Sequence, residues 1–139
     1  MIINLQRKLK FDKQPLEHFT ADLQQQVEEA HGVGFSVALV SDRRMVELNK
    51  LFRGKDSTTD VLSFPHEPDE FDTEADSLGD IVISVEQAAK QADENGLTLE
   101  GEIKQLILHG VLHLCGYDHE SDDGEMNARE LELRESLGI

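Results

Sequence analysis

Between Ile103 and His119 the chain reads Ile-Lys-Gln-Leu-Ile-Leu-His-Gly-Val-Leu-His-Leu-Cys-Gly-Tyr-Asp-His, and no other stretch limits the possible folds as tightly. At about 100° per residue, Ile103, Leu106, Ile107, Gly110, Val111 and Leu114 cluster within roughly 60° of one direction, while Leu108 and Leu112 fall on another side. From Leu106 onward a helix with this pattern is apolar nearly all round, so it must be buried. Its one polar stripe carries His109 and His113. Residues four apart share a helix face, so the two imidazoles project side by side. Gly116 can end the helix in the left-handed conformation, and the reversed chain can bring His119 back to the pair.

A single histidine on such a helix is more often a hydrogen-bonded core residue than a ligand. Here, however, three of the chain's six histidines fall within eleven residues, at spacings that converge, and this favours a metal site. Three protein ligands with a fourth position open to water is the usual form of a catalytic zinc centre. Neutral imidazoles make zinc the first choice, although nickel, copper or iron would also accept three of them. The rhythm matches the zinc-protease pattern His-Glu-x-x-His-x-x-Gly-x-x-His with one substitution. Gly110 stands where those proteases place the glutamate that deprotonates water, which disfavours proteolysis by that route.

Around this stretch the sequence predicts further elements. Residues 1–6 read as an edge strand, and Pro15 opens a helix with Leu16, Phe19, Leu23, Val27 and Ala30 on one face, ending at His31-Gly32. Phe35 to Val40 alternates as a half-buried strand, and Ser41 caps a helix carrying Met45, Val46, Leu48 and Leu51. Residues 53–60 are rich in turn formers and read as a loop, followed by a strand from Val61 to Phe64 closed by Pro65. The acidic run 66–77 reads as a mobile surface loop. Leu78 to Ser84 is a strand, and Val85 to Asn95 a helix stopped by Gly96. Thr98 caps the histidine helix, and a last helix runs from about Asp122 to Leu137. The expected class is α+β: one domain over residues 1–139, a roughly four-stranded mixed sheet packed with about five helices, and a central metal-binding helix.

A chain of 139 residues can bury roughly 70% of the surface its unfolded form exposes, so a metal would tune this fold and not create it. The lone cysteine, Cys115, excludes an intrachain disulfide and lies about 200° round the helix from His113, on the core side. No apolar run near 18 residues and no secretory leader is present, so the expectation is a soluble, cytoplasmic protein with no membrane partner. The net charge of −16 argues against nucleic acid, yet it is unevenly spread. Residues 1–55 hold nine basic and seven acidic residues; residues 56–139 hold four and twenty-two. The basic residues form two clusters, Arg7, Lys8, Lys10, Lys13 and Arg43, Arg44, Lys50, Arg53, Lys55, which are either solvated faces or docks for an anion.

The stretch His109 to His119 resembles the signature of the YbeY family of bacterial metallo-endoribonucleases, which act in ribosomal RNA maturation and ribosome quality control. Phe52-Arg53-Gly54-Lys55-Asp56, Thr59 to Pro65 and Leu78 to Ser84 carry the resemblance further. It implies one zinc ion on His109, His113 and His119, an essential Arg53, and single-stranded ribosomal RNA as substrate. It also implies the 3′ end of 16S rRNA as a target and the small ribosomal subunit with its proteins as partners. A guanidinium can grip a phosphodiester through two hydrogen bonds and offset transition-state charge, with Lys55 as a second cation. The metal could activate water, or activate phosphorus for a ribose 2′-hydroxyl, and the residues leave both open.

Asp60, Asp80 and Asp118 are candidates for proton transfer or for supporting the ligands, and equally for caps or surface carboxylates. Glu130 falls inside the apolar stripe of Met126, Leu133 and Leu137, where it must be paired if buried. Orienting a ligand histidine or holding an arginine would satisfy it; the alternative is a side chain that reaches out at the helix edge. Two rival functions stay open: a ribosome-assembly factor whose metal is structural, and a zinc hydrolase of peptide or amide bonds.

Overall fold

A computed structural model of the chain describes residues 1–66 and 77–139, so the reading of the acidic run falls mostly outside the described residues. In order, the elements are β1 (Ile2–Asn4), α1 (Gln14–Gln26), a 3-10 turn (Glu28–Ala30), β2 (Ser36–Val40), α2 (Asp42–Arg53), β3 (Val61–Pro65), β4 (Gly79–Ser84), α3 (Val85–Asn95), α4 (Leu99–Leu114) and α5 (Glu125–Leu137). The four strands form one mixed sheet in the order β1-β2-β4-β3. β1, β2 and β4 run parallel, and β3 lies antiparallel on β4, with Ser63 opposite Ile81. The α+β class, the mixed sheet and the five helices agree with the sequence reading.

Period-two alternation divides the core. Val37, Leu39, Ile81 and Ile83 turn to the face covered by α1, α3, α4 and α5. Ala38, Val40, Leu62, Val82 and Phe64 turn to the opposite face, where α2 lays Met45 and Leu48 against them. The central strands therefore read as nearly continuous apolar runs, as strands covered on both faces should. Helix α4 is the most enclosed of the helices. Ile103, Ile107, Leu108, Val111 and Leu112 are wholly buried, the all-round burial its sequence required.

Gly110 explains how closely this helix lies on the sheet. A Cβ added there would stand 2.9 Å from Ile81 Cδ1 and 3.0 Å from two further Ile81 carbons. Any side chain at position 110 must displace a buried isoleucine.

The predicted caps are in place. Ser41 accepts from the Arg44 N–H at 3.2 Å and Thr98 from the Gly101 N–H at 3.0 Å, each satisfying an amide the helix leaves free. Of the boundaries that differ from the sequence reading, three have a clear local cause. Helix α1 stops at Gln26 and gives way to the 3-10 turn before His31, whose φ of 53° starts the reversal into β2. Helix α5 begins at Glu125, because Asp122 sits outside it and accepts from the Gly124 and Met126 N–H groups. Arg53 is the last residue of α2, not the first of a loop, since Gly54 (φ 68°) is the residue that takes the left-handed stop.

Candidate metal centre

The histidine pair is set by helical spacing and then fixed by what lies behind each ring. Glu130 on α5 is buried, and its Oε1 is 3.1 Å from His109 Nδ1. Burial pulls this carboxyl up, but the hydrogen bond from His109, with Arg134 at 3.9 Å, outweighs it and holds Glu130 below its ordinary value. An ionised carboxylate only accepts, so His109 Nδ1 carries the proton and donates. His113 Nδ1 likewise donates to the Tyr117 carbonyl at 3.0 Å.

Both rings thus turn an unprotonated Nε2 inward, and the two Nε2 atoms lie 3.2 Å apart. Two lone pairs facing at that distance have no donor between them; a cation resolves the conflict. Nitrogens on a tetrahedral zinc with bonds of about 2.0–2.1 Å stand roughly 3.4 Å apart, close to what is seen. His113 is also held below its ordinary value, by burial first and then by the neighbouring His109, which favours the neutral form a metal needs.

His119 completes the set from the turn after α4. Gly116 (φ 100°) reverses the chain, and ligand atoms of His109, His113 and His119 all come within 4.8 Å of one another. The turn is anchored through Tyr117. Its hydroxyl donates to Glu29 Oε2 at 2.9 Å, and Arg129 on α5 grips the same carboxylate with two bonds, Nε to Oε2 at 3.0 Å and Nη2 to Oε1 at 2.9 Å. The Arg129 fork holds Glu29 below its ordinary value. Tyr117 therefore ties the His113 ring and the segment bearing His119 to α5 and to the end of the first helical segment. Cys115 lies on the other side, its thiol pushed up to about 11 by burial and by Glu29, and it takes no part in the histidine cluster.

The histidines form one wall of a cleft of about 600 Å³. The other wall is β3 and the end of α2, with Arg53, Thr59, Ser63, Phe64 and Pro65 in the lining. Because β3 is an edge strand, alternate backbone groups point away from β4 toward this open side. Helix α2 lies on the opposite face of the sheet from α4, so the cleft draws Arg53 and the histidines from opposite faces around that edge. Arg53 is exposed and, among the described residues, makes no hydrogen bond or ion pair.

The loop behind Arg53 is well tied. Asn49 donates to the Ser57 carbonyl at 2.9 Å, while Thr58, Ser84 and Gln87 all donate to the Asp42 carboxylate.

The remaining candidates separate. Asp118 lines the cleft and is exposed; the Glu120 N–H and the Ser121 hydroxyl hold its carboxyl below the ordinary value. Asp60 also lines the cleft, but its oxygens accept from the Val61 N–H at 2.8 Å and from Gln91 at 3.1 Å. Lys55 is exposed and lies outside the lining. Asp80 does not reach the histidines. It alternates with Ile81 on β4, so it faces the α2 side of the sheet and lines a separate groove there. The clamp of Glu29, Tyr117 and Arg129 was not foreseen, and with Arg129 one hundred positions from Glu29 no local pattern announces it.

The chain resembles known proteins over most of its length. The family model described as Endoribonuclease YbeY matches residues 1–138. The endoribonuclease YbeY of Aquifex aeolicus is 45% identical over 127 residues, covering 91% of this chain and 83% of that protein. That of Solibacter usitatus is 44% identical over 124 residues, covering 89% and 78%. The solution structure of TM1509 from Thermotoga maritima superposes with a TM-score of 0.65 at 34% identity, covering 99% of this chain and 90% of that one.

Proposed function

The chain belongs to the YbeY family of endoribonucleases, hydrolases of RNA phosphodiester bonds, and from that premise we propose a zinc-dependent enzyme selective for single-stranded ribosomal RNA. Its proposed setting is the cytoplasm, at the small ribosomal subunit, in maturation of the 16S rRNA 3′ end and in ribosome quality control. No helix among the described residues is long and apolar enough to cross a membrane.

The observation that carries the reading is the pair of inward Nε2 atoms 3.2 Å apart, across a cleft from an arginine that has no partner among the described residues. His109, His113 and His119 would hold the metal. When bound, zinc supplies a Lewis acid that lowers the pKa of water and polarises a phosphodiester. The protein's own residues do the rest. Glu130 and the Tyr117 carbonyl fix the ring orientations before any ligand arrives. Arg53 binds a non-bridging phosphate oxygen and steadies the charge that builds there. Asp118, exposed in the cleft lining, would accept or relay a proton through solvent.

Peptide hydrolysis by the protease route finds no support, because position 110 faces Ile81 and not the cleft. The test is chelation. Protein stripped of metal should lose cleavage of a single-stranded RNA and regain it on adding one equivalent of zinc, with duplex RNA uncut throughout. Undiminished cleavage by the stripped protein would overturn the metal role; equal cleavage of duplex would overturn the strand selectivity.

A further inference from the structure

The cleft does not end at Phe64. That residue also lines a second groove, of about 330 Å³, with Ile3, Ser36, Ala38, Phe52, Asp80 and Val82. We propose that this groove is a subsite for one unpaired base of the RNA, adjoining the nucleotide whose phosphate Arg53 holds. The proposal rests on the endoribonuclease reading above and adds to it a residue that selects single strands.

Three observations carry it. First, Phe52 and Arg53 are neighbours at the end of α2, and a helix turns about 100° between them. Arg53 accordingly lines the cleft and Phe52 the groove, so phosphate and base recognition sit side by side on one rigid element. Second, Phe52 is 58% exposed, an unusual state for a phenyl ring in a chain with six phenylalanines, five of which are less open or lie outside the described residues. It meets Phe64 in a T-shaped contact, with centroids 5.0 Å apart and planes at 66°, so the rings are not stacked face to face and at least one face of Phe52 is left uncovered by Phe64. A flat base can stack there. Third, the charges suit a nucleotide in this orientation. Arg53 in the adjoining cleft supplies the cation for the backbone, while Asp80 within the groove repels a phosphate but accepts hydrogen bonds from the N–H groups of a base.

This arrangement gives a physical reason for strand selectivity. A base in a duplex is stacked on both sides and paired at its edge, so it cannot enter the groove without being pulled from the helix. A base already free enters at no such cost.

The test uses the full chain loaded with zinc and a short single-stranded RNA in which each nucleotide in turn is made abasic. With the native protein, one abasic position beside the cut should lower kcat/KM about tenfold, the size expected for one base–aromatic stack. In Phe52→Ala the intact RNA should be slowed by the same factor, and the abasic penalty at that position should vanish. Phe52→Tyr should restore both. Because Phe52 is exposed, thermal melts should not move, so a loss of folding is not confused with a loss of stacking.

An abasic profile unchanged by Phe52→Ala, with cleavage intact, would overturn the subsite while leaving the enzyme assignment standing. A dimer in sedimentation that Phe52→Ala dissociates, with the abasic profile unaltered, would make this face an interface between copies and overturn it equally. Absence of any RNA cleavage by the native protein would remove the underlying reading first, and the subsite with it.

Discussion

On one wall of the cleft the two helical histidines each have their outer nitrogen committed to a partner, Glu130 or the Tyr117 carbonyl; on the other, Arg53 has no partner among the described residues. The histidine wall is built from α4, α5 and a turn clamped by Glu29 and Arg129, so its geometry is settled before any ligand binds. The arginine wall is a helix end beside an open strand edge. The difference suits the two proposed jobs. Metal affinity rises when ligands need no reordering, whereas a guanidinium already held by a carboxylate is not free to grip a phosphate.

The comparison breaks most visibly when each wall loses its principal residue. His113→Ala should abolish stoichiometric zinc by elemental analysis, and cleavage with it. Arg53→Ala should keep the zinc and the melting temperature yet lose about 10²- to 10³-fold in cleavage rate, the usual cost of deleting one preorganised charge donor. Retention of full zinc by His113→Ala, or full cleavage by Arg53→Ala, would each remove that residue from the site. Arg53→Lys should recover only part of the rate, since an ammonium lacks the two-pronged fit.

A smaller effect tests whether the histidine wall is preset. Glu130→Gln preserves shape but replaces a charged acceptor of the His109 N–H with a neutral one. Zinc affinity, measured by competition with a chelator, should fall about 10- to 100-fold. An unchanged affinity would mean that the α4 backbone alone orients the ring.

The clamp behind Tyr117 should show itself in stability more than in rate. Arg129 holds Glu29 ionised, so Arg129→Met should cost about 1–2 kcal/mol at pH 7 in urea melts, discounted for the partial exposure of the pair. The sign of its pH dependence is set by Glu29. A carboxyl held below its ordinary value of 4.5 in the folded state contributes stability that is complete above that value and is lost as pH falls through the folded one. The gap between native protein and Arg129→Met should therefore close below about pH 4.5. A gap constant down to pH 3 would show that Arg129 acts by packing and not by its charge.

These contrasts also explain what could be read from the chain. The histidine pair is legible because four-residue spacing fixes a face whatever the surroundings, and the return of His119 because Gly116 permits a left-handed reversal that other residues resist. The α4 burial followed from an apolar pattern with a single polar stripe. Asp80 was not legible. Its strand is recognised correctly, but with apolar residues on both faces nothing in the strand says which side meets the histidines. The sequence reading puts Arg53 in a loop because Gly54, Asp56 and Ser57 dominate the local composition, although only the glycine ends the helix. Glu29 and Arg129 meet through tertiary packing, and neither carries a local mark of the other.

Gly110 gives the smallest and most discriminating test, because two effects of opposite sign meet there. Alanine favours a helix interior over glycine by up to about 1 kcal/mol. Against that, the new methyl would press within about 3 Å of three carbons of Ile81, which is wholly buried and cannot withdraw without disturbing β4. Overpacking of this kind costs about 1–3 kcal/mol. The net expectation for Gly110→Ala is a loss of about 1 kcal/mol, read as a melting temperature lower by about 3 °C. Pairing it with Ile81→Val, which removes one of the crowding methyl groups, should recover most of that loss, although Ile81→Val alone is destabilising. A melting temperature raised by Gly110→Ala would show that α4 can stand off from the sheet. Glycine would then hold position 110 for a reason other than close packing, and the absence of the protease glutamate would need a different explanation from the one that Ile81 provides.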